Sequence, residues 1–338
     1  MIERHSHIAH SAYIDLKRSL MDEVVSNLRG TPTKEIRNGR AYWYDIFRVG
    51  SDVRKKYIGE DTPALQTRMG KIKQLREEAG ERRKGRTRLV RILRAEGFLS
   101  IDATTGSLLT AMSGAGVFRL GGTIVGTHAF RLYEGELGVR YSFDQMAQTG
   151  DIDIASFEAL SLALNETVET PLNNVLADFS FTAAPSLNSH HTWRWRQTRN
   201  EMLVEFLTPS FREEEGIRPL AALGVHAQSL HYLNYLLAEP IQAVALYRSG
   251  VLVQIPRPER FAIHKLIVSD RRRGGPDGLK SNKDAMQAEF LIRVLAEDRP
   301  DELKEAYEDA LQMGPRWQER LERSLERLPE SAEILKGI

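Results

Sequence analysis

Hydrophobic positions recur at two periods along this chain, and the switches between them outline its elements. Ile14, Leu16, Leu20, Val24, Val25 and Leu28 return at roughly helical spacing, which predicts a helix over residues 11–29 stopped by Gly30 and Pro32. A hairpin pattern comes next: Asn38-Gly39 turns, Tyr42 to Val49 reads as a strand, Gly50-Ser51 turns again, and Val53 to Ile58 returns. From about Pro63 to Glu96 the pattern is helical, with Gly85 marking a break between an N-terminal module and the remainder of the chain. Thr104 to Ala115 reads as a short helix feeding a buried strand at Leu120, and Ala129 to about Glu134 as another short helix.

The second half alternates in the same way. Asp151 to Ile154 is a strand, Ser156 to Asn165 helical, and residues 177–183 a strand. Thr192 to Gln197 and Met202 to Thr208 form a hairpin over Thr198-Arg199-Asn200; residues 226–238 fit either a helix or a strand. Ala243 to Ile255 is a hairpin over Arg248-Ser249-Gly250. Pro258 and Glu259 open a helix, Ser281-Asn282-Lys283-Asp284 opens a second that runs to about Glu297, and the rest is helical. There Trp317, Leu321, Leu325 and Leu328 make a docking stripe.

Composition narrows the class. With 338 residues, 41% hydrophobic and 28% charged, the chain has material for two or three domains and a full core. No apolar run approaches a membrane span and the start is polar, so a cytoplasmic location is expected. The absence of cysteine excludes disulfides, thiolate zinc sites and a cysteine nucleophile. Net charge is only +1, yet residues 68–94 hold eleven Lys/Arg against three Glu. Together with Tyr42-Trp43-Tyr44 among several cations, that stretch suits a nucleic-acid partner, RNA in particular. The competing reading is a solvated helix and a hairpin whose aromatics cover a helix.

The chemistry concentrates in two places. Leu120-Gly121-Gly122-Thr123-Ile124-Val125-Gly126-Thr127-His128 reads as a buried strand running through a small-residue turn into a helix, a phosphate cradle with either Gly121-Gly122 or Gly126-Thr127 at the turn. His128 would stand at that helix start, within reach of a phosphate. Further on, Gly150-Asp151-Ile152-Asp153-Ile154 sets two carboxylates on one strand face. Like charges so placed repel unless a cation sits between them, and hard oxygen ligands beside phosphates suit Mg²⁺. Glu205, between Val204 and Phe206, is a third acid inside an apolar strand, costly to bury unless paired or holding a metal.

Val125-Gly126-Thr127-His128-Ala129-Phe130 followed by Thr149-Gly150-Asp151-Ile152-Asp153 resembles the nucleotidyltransferase superfamily of DNA polymerase β-like fold. The resemblance implies an α+β chain: a mixed sheet flanked by helices, with an N-terminal helix and hairpin module and a helical C-terminal region. The divisions expected are residues 1–85, 86–215 and 216–338. It implies transfer of a nucleoside monophosphate from an NTP to an acceptor hydroxyl on RNA, protein or a small molecule, releasing pyrophosphate. Asp151, Asp153 and Glu205 would hold Mg²⁺ or Mn²⁺, with Gly126, Thr127 and His128 at the phosphates. The block Pro258-Glu259, His264-Lys265-Leu266, an Arg cluster and Lys283-Asp284 is similar to abortive-infection and toxin–antitoxin nucleotidyltransferases. By that likeness Lys265 contacts the triphosphate, Asp284 belongs to the site, and an antitoxin protein is a candidate partner. A helix-capping role competes for Asp284. The alternative for the whole chain is a nucleic-acid-binding protein on a degenerate nucleotidyltransferase scaffold. The aspartate alternation makes one prediction: both carboxylates enter a cleft beside the Gly-Thr turn, and a structure placing them on opposite sheet faces would contradict it.

Overall fold

A computed structural model describes residues 2–24, 31–37, 39–49, 52–141, 151–157, 167–168, 170–184, 191–198, 202–211, 214–274 and 278–338. Helix α1 (His7–Val24) leads into strands β1 (Thr31–Arg37), β2 (Arg40–Val49) and β3 (Asp52–Glu60), an antiparallel meander, and then α2 (Pro63–Ala95). Helix α3 (Ala103–Ala115) starts at Asp102, whose carboxylate accepts from the Thr104 and Thr105 amides at 2.9 Å, and ends at Gly116 with φ +89°. Strand β4 (Gly122–Val125), helix α4 (Gly126–Leu137) and strand β5 (Asp151–Ser156) follow.

Next come α5 (Leu172–Asp178), β6 (Phe181–Ala183), β7 (Arg194–Gln197), β8 (Leu203–Pro209), β9 (Ile217–Leu220), β10 (Val225–Leu230) and the single turn α6 (Leu233–Leu236). A two-stranded ribbon, β11 (Ile241–Ala245) and β12 (Val251–Ile255), precedes five helices. These are α7 (Pro258–Arg272), α8 (Gly278–Asp298), α9 (Pro300–Gln312), α10 (Pro315–Leu325) and α11 (Pro329–Gly337).

The central sheet runs β4-β5-β8-β10-β9, with β6 and β7 joined along the first half of β8. It is mixed: β5 and β8 are parallel, β4 and β5 antiparallel. Strands β5 and β8 occupy its interior, and Ile152, Ile154, Val204 and Phe206 are all fully buried. Apolar side chains on the opposite pleat from the acids therefore anchor both strands. The helical C-terminal region packs beside the sheet, with Leu266 and Ile267 of α7 and Leu291 and Leu295 of α8 in the same core. The fold is α+β with a mixed sheet flanked by helices, as the resemblance implies. No helix among the described residues is long and apolar enough to cross a membrane.

Several local expectations change. Thr31–Arg37 adds a strand where Gly30 and Pro32 read only as a stop. Gly85 does not interrupt α2, because Arg86, Val90 and Leu93 continue a buried stripe beyond it. Residues 177–183 divide into the end of α5 and β6, with the reversal at Ser180, φ +61°. Helix α8 begins at Gly278, so Ser281 is inside it, and its hydroxyl donates to the Ser269 carbonyl at 2.7 Å instead of capping. Residues 135–137 finish α4. Most of the helix expected over Ser156 to Asn165, together with Gly50-Ser51, Gly150 and Arg199-Asn200, lies outside the described residues.

Helix α1 is tied to the body through buried polar groups. The Tyr13 hydroxyl donates to Glu136 at 2.6 Å and accepts from the Val244 amide at 3.0 Å. His5 and Glu134 lie 3.2 Å apart, and Glu134 also accepts from the Leu99 amide. Tyr13→Phe strips partners from a buried carboxylate and a buried N–H, so chemical denaturation should show a loss of about 1–3 kcal/mol. An unchanged midpoint would mean that α1 is held by apolar packing alone.

Candidate functional site

Register between neighbouring strands assembles the site. Parallel pairing of β5 with β8 sets Asp153 opposite Glu205, and antiparallel pairing with β4 sets Val125 opposite Asp153. Gly126, the next residue, turns the chain at φ +66° and is already the first residue of α4. A Cβ on Gly126 would overlap Oδ2 of Asp153. Both the turn and the carboxylate contact thus require glycine here. Val125, at the N-cap of α4, makes no side-chain cap bond to its first turn. Of the two turns the pattern allows, Gly126-Thr127 is the one at the acids; Gly122 instead packs against Val117.

Asp151, Asp153 and Glu205 line one cavity of about 430 Å³ with Gly126 and Thr127. The facing wall comes from α7 and α8. Lys265 and Asp284 form a buried ion pair there, and Arg272 Nη1 reaches the other Asp284 oxygen at 2.5 Å. Burial alone would raise the Asp284 carboxyl, but Lys265 and Arg272 outweigh it and hold it below its ordinary range. The capping role for Asp284 is therefore replaced by a cross-helix one. Burial, reinforced by Lys265, pushes His264 down to about 3 and also lowers Lys283. His264 is neutral at physiological pH.

Asp153 is perturbed the other way. Burial first, then the charges of Glu205 and Asp151, raise its carboxyl to about 7, with Lys265 and Arg272 pulling it back. Glu205 is an ion-paired residue in this arrangement: Arg194, its cross-strand neighbour on β7, brings Nε to 2.6 Å from Oε1. As the side chains stand, no group of three or more His, Asp or Glu among the described residues is arranged to hold a metal ion. Arg194, Arg271, Arg272, Lys265, Lys280 and Lys283 line the cavity with four acids, Asp151, Asp153, Glu205 and Asp284. Cations outnumber carboxylates there, which favours an anionic guest.

His128 departs from expectation. It lies in a small separate cavity with Leu99, Ile101 and Arg131. Burial, aided by Arg131, pushes its imidazole down to about 4. As the third residue of α4, its side chain turns away from the cavity that Gly126 and Thr127 border. Several cavity residues escaped the sequence reading. Arg272 stands seven residues after Lys265 and so shares its helix face, while Lys280 shares one on α8 with Lys283 and the expected Asp284. Those spacings were readable. Arg194 and His231 reach the cavity only through strand register and tertiary packing.

A family model described as nucleotidyltransferase matches residues 103–312, more than half of the chain and the span that contains every residue of the cavity. No curated protein and no solved structure matches it.

The raised Asp153 carboxyl carries a pH signature. Its ordinary value is 3.8 and its folded value about 7, so the folded chain holds a proton that the unfolded chain has lost in between. Stability from this group therefore falls as pH rises across that window. Asp153→Asn should match wild type near pH 4 and exceed it by up to about 4 kcal/mol at pH 8. Urea denaturation at both pH values checks this; a pH-independent gap would contradict it. Gly126→Ala, by contrast, should lower the melting temperature at every pH, since both the φ angle and the Asp153 contact oppose a methyl group.

Proposed function

The chain belongs to the nucleotidyltransferase family, and from that we propose that it moves a nucleoside monophosphate from an NTP to an acceptor hydroxyl, releasing pyrophosphate. One observation carries the reading: strand carboxylates and a wall of Lys and Arg share a cavity with a glycine turn that admits no side chain. Asp151 and Asp153 would hold Mg²⁺ or Mn²⁺, joined by Glu205 when Arg194 gives it up to the phosphates. Crowded carboxylates with a raised Asp153 are the donor set that a divalent cation relieves. When bound, the ion supplies neutralisation of the triphosphate and acidifies the attacking hydroxyl.

The remaining work belongs to the chain. Gly126 and Thr127 let the phosphates approach the backbone at the start of α4. Lys265, Arg272, Lys280 and Lys283 orient them, and Asp284 fixes Lys265 and Arg272 in place. Positioning and electrostatics account for most catalysis of phosphoryl transfer. An RNA end is the acceptor we favour, on the charge excess of residues 68–94. A protein or small-molecule acceptor, and an antitoxin-type partner, are the variants that a transfer assay separates. A degenerate scaffold is disfavoured because it has no use for three acids beside six cations.

The assay incubates labelled NTPs with protein, Mg²⁺ and total cellular RNA, and reads pyrophosphate release and the labelled product. Asp151→Asn and Asp153→Asn should abolish transfer while the chain stays folded. Lys265→Ala should weaken NTP binding roughly ten- to a hundredfold. It should also destabilise the protein, because Asp284 then keeps only Arg272 in a buried site. Lys265→Arg should restore stability better than affinity. Wild-type transfer by Lys265→Ala or Asp153→Asn would sink the proposal.

A further inference from the structure

A second cavity, of about 660 Å³, shares His231 with the first. Its volume lies within the usual range for small-molecule sites. Tyr232, Asn234, Met313, Arg316 and Trp317 supply its other principal walls. We propose that this groove is a nucleobase subsite. It would hold the base and ribose of a nucleotide, either the donor NTP or the terminal nucleotide of the acceptor strand, while phosphates lie on the cationic wall next door. The inference rests on the transfer reading above and extends it to the nucleoside.

Three observations support it. The first is continuity: Arg271 lines the catalytic cavity and also lies 5.5 Å from the centre of the Tyr232 ring. A nucleotide bridging the two spaces would contact one connected surface.

The second is chemistry. Tyr232 and Trp317 meet edge to face at 5.0 Å, and Arg320 Nε donates to the Tyr232 hydroxyl at 3.1 Å. The tyrosine ring is thus braced from several sides as a fixed plate. Met313, 42% exposed, adds a soft polarisable surface to the same wall. Asn234 brings an amide with both donors and an acceptor, the complement of a base edge. Arg316 adds an exposed guanidinium plane that can stack on a base. Aromatic plate, amide and cation together are what nucleotide binding outside a duplex uses.

The third is backbone strain. Tyr232 adopts φ 72° and ψ −8°, a left-handed conformation that a bulky aromatic residue rarely takes. The chain accepts it and thereby sets the ring in the wall of the second cavity, beside Arg271 of the first. Strain of this kind collects at binding sites. Across the groove, Gly314 at φ +112° forms wall with no side chain, and a Cβ there would meet open space.

The test uses the full-length protein with Mg²⁺ and three probes: inorganic tripolyphosphate, the four NTPs, and a short mixed-sequence oligoribonucleotide. Affinities are measured by calorimetry for wild type, Asn234→Ala, Met313→Ala and Arg316→Ala; the last two change exposed side chains and should leave folding intact. Tripolyphosphate affinity should stay at the wild-type level in all three variants. If the groove holds the donor base, the preference for the best NTP over tripolyphosphate should fall roughly tenfold. If it holds the acceptor base, oligoribonucleotide affinity should fall by that factor while NTP affinity stays. Unchanged affinity for both NTPs and oligoribonucleotide in all three variants would overturn the proposal. A wild type that ignores tripolyphosphate would instead contradict the phosphate reading of the neighbouring cavity, and the groove would still be judged on nucleotide and oligoribonucleotide binding.

Discussion

The crowding of carboxylates around Asp153 is the constraint on which the rest of the site depends. Apolar burial of Ile152, Ile154, Val204 and Phe206 fixes β5 and β8, and fixing them in parallel register forces Asp153 and Glu205 together. In a partly dehydrated cavity that proximity is costly, and it shows in the raised Asp153 carboxyl. Two features temper it within the chain. Arg194 pairs with Glu205 from the neighbouring strand, and α7 and α8 bring Lys265 and Arg272 across the cavity. A divalent ion with a polyphosphate would complete that compensation, one meeting the acids and the other the cations.

The same constraint explains why glycine stands at position 126. The chain must leave β4 beside Asp153 and start a helix at once, with a positive φ and no room for a methyl group. The Lys265–Asp284–Arg272 assembly has a comparable logic. Two cations facing the cavity would repel each other without a buried anion between them, and Asp284 separates them on its two oxygens. A buried pair of this kind is weak evidence of stabilisation but strong evidence of fixed geometry.

Much of this was legible in the sequence where a single element carries the signal. The alternation of Asp151-Ile152-Asp153-Ile154 reads directly as an acidic face and an apolar face, and the burial follows it residue by residue. The helix opened by Pro258, the one read from Thr104 to Ala115, and the ribbon ending at Ile255 were equally plain. Features set by tertiary contact were not. His128 comes just after the glycine turn in sequence, yet the helix rotates it into a different cavity. Ser281 has the spacing of a capping residue, but α8 starts earlier because Ser281 finds a buried partner in Ser269. Arg194 is invisible as a partner of Glu205 until β7 and β8 are paired. The strand Thr31–Arg37 was hidden by a proline that a sheet edge tolerates.

On the proposed reading, this cavity passes the α-phosphoryl group, with its nucleoside, to a hydroxyl. Parallel reactions with α-labelled and γ-labelled NTP test it most directly, each run with wild type and Asp153→Asn. Label should reach the acceptor from α-labelled NTP alone, label from γ-labelled NTP should appear in pyrophosphate, and Asp153→Asn should give neither product. Label reaching the acceptor from the γ position, or transfer of the α-label that survives Asp153→Asn, would contradict it.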